Sequence, residues 1–559
     1  MKAAASYDCD SIQDTGELLV RSECLPFSEV PDTSRLFIDY LSYSPAIQRF
    51  YPRSPRWSQW LRDETPNRRY EASRRERVAD ALERQNRHWG ASSATLQNLA
   101  RFRAGACAAV TGQQVGLFGG PLFSLFKAMT AVKLADEATR SGVDCVPVFW
   151  LATEDHDLEE VNHASVLDAD GVLQPLVSSA RAGVNAPVGT IEFGAEIEPV
   201  VEAAAAILGT GDIAELLRAS YRPADNYGSA FARLFTTLFS DWGVILLDSL
   251  DPELHAIAAP IYGGALERAA EIDDQLLQRG RELEAAGYHQ QVRVTPSSTL
   301  LFMLRDGART VIHRKVNGSD TDFLVGEEQI PKAQMLERIS RAPDQFSPNV
   351  LLRPVVQDYL LPTLTYAGGA AEVAYFAQAA VVYDCLLGHV TPIVPRFSAT
   401  VIDAKAQRLL SKYELNFVDM LQTPETLRQM LAARALSADL QSAFENAGAA
   451  VENSFTAIRS ALAKLDPTLV DAADRAGSKI QHQIEHLRAS AARAELRHSE
   501  LLDRHAAFLS TTLFPKRTLQ EREIAGISFL ARHGLNLLKD LYASIHTDCL
   551  DHQVISLSL

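Results

Sequence analysis

No apolar run in this chain approaches the roughly 20 residues that a bilayer-spanning helix needs. A membrane-embedded helical protein is therefore not expected. The first residues, MKAAASYDCDSIQDTGE, turn acidic before any apolar core and read poorly as a signal peptide, so the expected location is cytoplasmic. Cysteine is sparse: Cys9, Cys24, Cys107, Cys145, Cys385 and Cys549 are scattered, with no CxxC pair. That spacing argues against zinc-ribbon and dithiol motifs and points to reduced, mostly buried thiols. Positive charge is also short. A formal net charge of −16 lacks the basic footprint of a nucleic-acid binder. The local exception is 53–77, which holds eight arginines, either a solvated helical face paired with acids or an anion site. There is no Gly-Lys-Ser/Thr after the glycine-rich stretch, no GxGxxG and no GxSxG. Walker-type, dinucleotide-fingerprint and serine-hydrolase readings lose their usual support. What remains, 559 residues at 47% hydrophobic and 22% charged, is ordinary for a globular protein of two to four domains.

The most informative stretch is 108–163. An apolar run ends in Thr111-Gly112-Gln113-Gln114-Val115-Gly116, then Gly119-Gly120-Pro121, and a helical pattern follows to about 140. A second apolar run, 145–152, ends in Glu154-Asp155-His156-Asp157, with Asn162 and His163 shortly after. Strand, loop, helix, strand implies a parallel βαβ unit, and ligands bind beyond the carboxyl ends of such strands. Glycines allow close backbone approach, and a helix start favours an anion. Gly112, Gln113, Gln114 and Gly116 are thus candidate substrate or nucleotide contacts; a tight structural turn is the alternative. Three carboxylates around one imidazole suit acid/base chemistry, a metal site or a structural cluster. Asp155 and His156 are the catalytic candidates, with Glu154, Asn162 and His163 as binding candidates.

The expected architecture is α/β: a Rossmann-like parallel-sheet core with two inserted subdomains and an α-helical antiparallel coiled-coil arm. Residues 1–165 hold N-terminal helices and the first part of the core. An insertion at 166–240 includes the alternating piece Gly189-Thr190-Ile191-Glu192-Phe193. The core resumes at 241–288, with a strand at Val244–Asp248 and one long helix over 252–286. A β-rich insertion occupies 289–346. The core returns at 347–423, where Arg353, Gln357, Tyr366, Gly368, Gly369, Glu372 and Tyr375 form a second polar set. Arg353 there suits a bidentate clamp on a carboxylate. The arm spans 424–510. A helix from Pro467 to about 509 carries the heptad seam Ile484, Leu487, Ala491, Ala494, His498, Leu501, His505, Phe508, and a helix at 438–464 folds back on it. His482, His486, His498 and His505 read as surface or seam residues. Residues 511–559 pack back on the core.

The blocks TGQQVGLFGGPL (111–122) and PVFWLATEDHDLEEVNH (147–163) resemble those of the BshC family, the cysteine ligases of bacillithiol biosynthesis. So do Leu352-Arg353-Pro354-Val355-Val356-Gln357-Asp358, Tyr366-Ala367-Gly368-Gly369, Ala371-Glu372-Val373-Ala374-Tyr375, Leu513-Phe514-Pro515 and Leu519-Gln520-Glu521-Arg522. The resemblance covers nearly the whole chain. It implies amide formation between cysteine's carboxyl group and the amine of glucosaminyl-malate, with Asp155 and His156 in the active site. It also implies small-molecule substrates, no nucleic acid, no membrane, and a homodimer through the arm. An acid must be activated for that reaction, most simply by ATP or another adenine nucleotide; no metal is expected. The inserted-core plan resembles class I nucleotidylyl-transferases, but neither HIGH nor KMSKS is present, so adenylation does not carry over. Two other classes remain: a hydrolase with zinc or manganese on Glu154, Asp155, His156 and His163, and a non-catalytic nucleotide-binding scaffold acting through its arm.

Overall fold

The computed structural model describes residues 12–14, 19–61, 70–181, 183–317 and 320–558. Cys9 and three of the clustered arginines, Arg62, Arg68 and Arg69, lie outside the described residues. The chain divides into two compact units. The first comprises 1–169, 173–400 and 521–553; the second comprises 170–172, 401–520 and 554–559.

The first unit is built on five parallel strands. Their spatial order is Ile393–Pro395, Thr363–Gly368, Cys107–Gln113, Cys145–Leu151, Ile245–Asp248. The two middle strands, Cys107–Gln113 and Cys145–Leu151, are buried nearly end to end. That follows from their largely apolar sequences, CAAVTGQ and CVPVFWL, since a parallel sheet covered on both faces needs no polar alternation. The chain leaves Cys107–Gln113 in one direction for the second and third strands. It returns on the other side for the fourth and fifth. The switch point therefore lies between Cys107–Gln113 and Thr363–Gly368.

Helix Phe123–Arg140 makes the first crossover, and Ala370–Leu386 follows the fourth strand. The N-terminal region holds the helices Arg35–Leu41, Ala72–His88 and Ser93–Ala104, and also a strand, Leu19–Leu25, that the sequence pattern did not reveal. Two other expectations are corrected. The long helix at 252–286 is two helices, Pro252–Glu267 and Ala269–Ala285, separated at Arg268, whose guanidinium pairs with Glu271. The piece 189–193 is not a strand: Val188–Thr190 is a 3-10 turn. A Cβ at Gly189 would meet Leu250 at 2.6 Å and Thr153 at 2.7 Å, so close backbone approach explains this glycine. Helices Ile197–Leu208, Asp212–Ser220 and Tyr227–Leu238 follow. Residues 298–348 form a five-stranded antiparallel sheet in the order Glu328–Pro331, Asp320–Val325, Ala308–Asn317, Ser298–Arg305, Phe346–Pro348.

The second unit is helical. Helices Ala438–Leu465 and Val470–His498 run antiparallel around the turn Pro467–Leu469. Gly477 sits against Phe455, and Gly448 against Gln481, which fixes that direction. Thr423 and Asp466 cap their helices as their Thr-Pro and Asp-Pro sequences predict. The single helix expected to run to 509 breaks at Ser499, whose hydroxyl accepts from the Leu502 N–H and starts a new helix, Glu500–Leu513. The seam moves accordingly. Leu487 and Leu501 are exposed at 62% and 46%, while Ala492, Leu502 and Ala506 are buried.

Candidate active site

A cavity of about 660 Å³ opens in the first unit at the carboxyl ends of the sheet strands. It sits at the switch point, where open α/β sheets bind ligands. Strand ends supply Gly112, Gln113, Glu154, Asp155, His156 and Arg396. Helix starts supply Phe123, Lys127, Arg353 and Glu372, and the antiparallel sheet adds Phe302 and Arg309.

One side of the cavity is a largely buried hydrogen-bonded network. Lys127 lies one turn into the first crossover helix. Its ammonium donates to the Gly112 carbonyl at 2.7 Å and to Gln113 Oε1 at 2.9 Å, and pairs with Glu372 at 2.6 Å. Burial lowers the Lys127 pKa to about 8, with Glu372 opposing the shift. Burial would raise Glu372, but Lys127 and the hydrogen bonds from Tyr366 and Gly369 together hold the carboxyl below its ordinary value. Glu372 also accepts from Tyr366 Oη at 2.6 Å and from the Gly369 N–H at 2.7 Å. Arg353 donates to Tyr375 Oη at 2.6 Å, to Gln357 Oε1 at 3.3 Å and to Tyr366 Oη at 3.5 Å. Among the described residues this guanidinium forms no ion pair; its partners are hydroxyls and an amide. Arg396 extends the cationic wall, held by Glu521 at 2.6 Å and stacked over Phe123 at 5.2 Å. Arg522 lines the same space.

The second strand end is looser. Asp155 accepts from Gln114 Nε2 at 2.9 Å and from the His156 N–H at 2.7 Å. Gln114 also donates to Glu160 at 2.5 Å. The loop is fixed by backbone: the Val188 and Gly189 N–H groups donate to the carbonyls of Asp155 and Thr153, at 2.7 and 3.0 Å. Arg309 Nη1 lies 3.4 Å from His156 Nδ1 and 3.9 Å from Asp155 Oδ1. Arg309 itself is braced by Ser347 Oγ and the Pro348 carbonyl, and its guanidinium stacks on Phe302. The His156 and Asp155 side chains are each about one-third exposed, 34% and 33%. Glu154 differs. It is buried, its Oε1 has no hydrogen-bond partner, and His255 Nε2 lies 3.5 Å away. Burial pushes Glu154 up and His255 down, each toward its neutral form.

The cavity gathers Gly112, Gln113, Gln114, Glu154, Asp155, His156, Arg353, Gly369 and Glu372. Tyr366 and Gln357 sit behind it as buried supports of Glu372 and Arg353. Gly116, Asn162, His163 and Gly368 do not line it. Gly116 and Gly120 are in backbone contact, since a Cβ on Gly116 would meet Gly120 Cα at 3.0 Å. The amides of Gly116, Gly119 and Gly120 bond to carbonyls within the loop, and the Leu122 N–H donates to Ile524. The glycine stretch is thus a tight structural turn with a covered helix start, not an anion cradle. His163 is exposed and bonded to the Glu159 carbonyl, and Asn162 caps a short helix. The ligand set of the hydrolase reading does not gather as four: Asp155 Oδ1 lies 3.6 Å from His156 Nδ1, but Glu154 meets His255 and His163 meets the Glu159 carbonyl. Among the described residues no group of three or more His, Cys, Asp or Glu is arranged to hold a metal ion.

Lys127, Arg309 and Arg396 escaped the sequence reading, and Arg522 entered it only as part of a family block, not as a site residue. Lys127 had a signal, a lysine inside an otherwise apolar helical segment one turn after the glycine loop. Arg396 follows the strand Ile393–Pro395 directly, so the strand-end rule applies to it as well. Arg309 comes from the antiparallel sheet, and nothing local marks it.

The fold and site define an α/β protein with a switch-point cavity of mixed charge and a strongly cationic wall. Comparison with known proteins is more specific. Residues 20–397 match the family described as "Bacillithiol biosynthesis BshC, N-terminal Rossmann-like domain", and 399–557 match its "C-terminal coiled-coil domain". A protein of Koribacter versatilis named "Putative cysteine ligase BshC" is 46% identical over 95% of this chain and 99% of its own length. Proteins of the same name from Solibacter usitatus and Salinibacter ruber are 36% and 34% identical, over 95% and 93% of this chain and 99% and 96% of theirs. The chain belongs to the BshC family of bacillithiol biosynthesis.

Proposed function

We propose that this protein joins the carboxyl group of cysteine to the amine of glucosaminyl-malate, forming the amide of bacillithiol. The observation that carries the reading is the cationic wall. Arg353 is a half-buried guanidinium satisfied only by neutral groups; Lys127, Arg396 and Arg522 stand on the same wall with Glu372 and Glu521 as its carboxylates, while Asp155 and Glu160 line the cavity at the second strand end. Such a surplus suits a substrate with two carboxylates, as a malate moiety has, and a guanidinium binds carboxylate bidentately.

His156 and Asp155 stand in the same cavity within reach of solvent. An amine attacking an acyl carbon must lose a proton, and His156 is the group placed to take it. Asp155 orients the loop through the His156 N–H. Glu154, buried and pushed toward its neutral form, offers a hydrogen bond without adding negative charge. Amide formation from a free acid is uphill, so the cysteine carboxyl needs activation, and ATP is the proposed activator. A cytoplasmic location and a homodimer through the arm belong to the same proposal; no described helix is long and apolar enough to cross a membrane.

The test is direct. Purified protein is incubated with cysteine, glucosaminyl-malate and ATP, and the amide is sought by mass spectrometry. Binding of glucosaminyl-malate is measured in parallel for wild type and Arg353→Ala. The expected result is product with wild type and about a hundredfold weaker binding for the variant, as for a lost charged hydrogen-bond pair of 1.5–3 kcal/mol. Equal binding by the two proteins would refute the assignment of Arg353.

A further inference from the structure

Two cysteines far apart in sequence meet in the first unit. Cys24 Sγ and Cys549 Sγ lie 3.2 Å apart, across 525 residues of chain, and no disulfide joins them. A disulfide bond is about 2.05 Å long, so bonding requires a movement of only about 1 Å. Neither residue is buried; both are of intermediate exposure. Each is held by backbone structure. Cys24 is near the end of the strand Leu19–Leu25. Cys549 closes a turn by donating its N–H to the His546 carbonyl, and the preceding Asp548 is gripped by Arg56 and the Ser58 N–H.

The remaining described cysteines are different. Cys107 and Cys145 are partners across the core sheet, and Cys385 lies in the helix Ala370–Leu386; all three are buried. Burial pushes the Cys145 and Cys385 thiols up, which disfavours the nucleophilic thiolate. Exposure and a second sulfur at hand occur together only at Cys24 and Cys549 among the described residues. This departs from the sequence expectation of reduced, mostly buried thiols.

We propose that Cys24 and Cys549 form a redox-sensitive latch, a modification site whose reactant is a low-molecular-weight disulfide. The thiolate of one cysteine attacks R′S–SR′, giving a mixed disulfide and releasing R′S⁻. The second cysteine, as thiolate, then attacks the protein sulfur of that mixed disulfide and expels the second R′S⁻. The protein loses two thiol hydrogens as one oxidant becomes two R′SH. Because the second sulfur is already 3.2 Å away, this resolving step is intramolecular. The bond would tie the N-terminal strand to the segment that leads into His552, the first residue of the strand His552–Ser558. That histidine bonds Ser398 at 2.8 Å, and Ser398 donates to Glu521, the counterion of cavity-lining Arg396. The latch stands independently of the ligase reading.

The experiment uses the intact protein and cystine as oxidant. The fully reduced chain carries six titratable thiols after denaturation. After cystine treatment the expected loss is two thiols, a tryptic peptide pair linked through Cys24 and Cys549, and full recovery on reduction. Cys24→Ser and Cys549→Ser should each retain a single cysteinyl adduct on the remaining partner, because the other described cysteines are buried in the core sheet or in the helix Ala370–Leu386. Wild type that keeps all its thiols, or that keeps stable cysteinyl adducts on both residues, would overturn the proposal. The wild-type measurement decides it even if a serine variant folds poorly.

Discussion

The two sides of the cavity differ in how their charges are kept. Around Glu372 both carboxylate oxygens have partners, and the ion pair with Lys127 is largely shielded from water. Around Asp155 and His156 contacts are fewer and longer, and a third of each side chain faces solvent. A buried pair has little freedom, which suits recognition of a fixed anion. A half-exposed imidazole can gain and lose a proton, which suits chemistry. The difference teaches that charge count alone does not distinguish holding from reacting; burial does.

Breaking the buried side should have the largest effect. Glu372→Gln leaves Lys127 with no carboxylate, and removal of one partner from such a pair costs about 3–5 kcal/mol. Denaturant unfolding should show that loss, whereas Asp155→Asn should change stability by less than about 1 kcal/mol. Equal losses would erase the contrast. Next, His156→Ala should lower turnover by about a hundredfold or more while leaving the affinity for glucosaminyl-malate nearly unchanged. A loss of affinity with turnover intact would move His156 to the holding side.

Glu154 sharpens the comparison through pH. Its ordinary value is 4.5, and in the fold it rises to about 8. Between these values the native state retains a proton that the unfolded chain has lost. Its contribution is therefore fully present below about 4.5 and is lost as pH rises through 8. Glu154→Gln should flatten that decline, seen as the thermal midpoint against pH; an unchanged slope would show that Glu154 is ionised. The smallest effect concerns the arm. Leu465, Leu487 and Leu501 are exposed at 78%, 62% and 46%. If the arm pairs subunits, Leu487→Glu should shift the mass measured by light scattering toward monomer with little change in unfolding.

Much of the core was legible locally. The apolar runs at 107–113 and 145–151, the helix after Pro121 and the helix at Ala370 follow from patterns a few residues long. Asp155, His156 and Arg353 were legible because polar residues at the end of a buried strand or the start of a helix have few reasons to be there. Gly116 misled. Glycine permits both ligand approach and backbone crowding, and only the 3.0 Å approach to Gly120 decides between them. The arm's seam misled past Ser499 for a related reason. Heptad spacing continues through a serine, but the serine side chain competes for the backbone and restarts the helix.

The sequence by itself determined the parallel core, the antiparallel arm and two polar strand ends, because periodicity and capping act over one or two turns. The tertiary structure alone decided which charges face one cavity. Lys127 meets Glu372 across 245 positions, Arg309 reaches His156 from an antiparallel sheet, and Cys24 meets Cys549 across nearly the whole chain. Such pairings depend on loop closure and on burial shared by distant segments, and no local pattern encodes them.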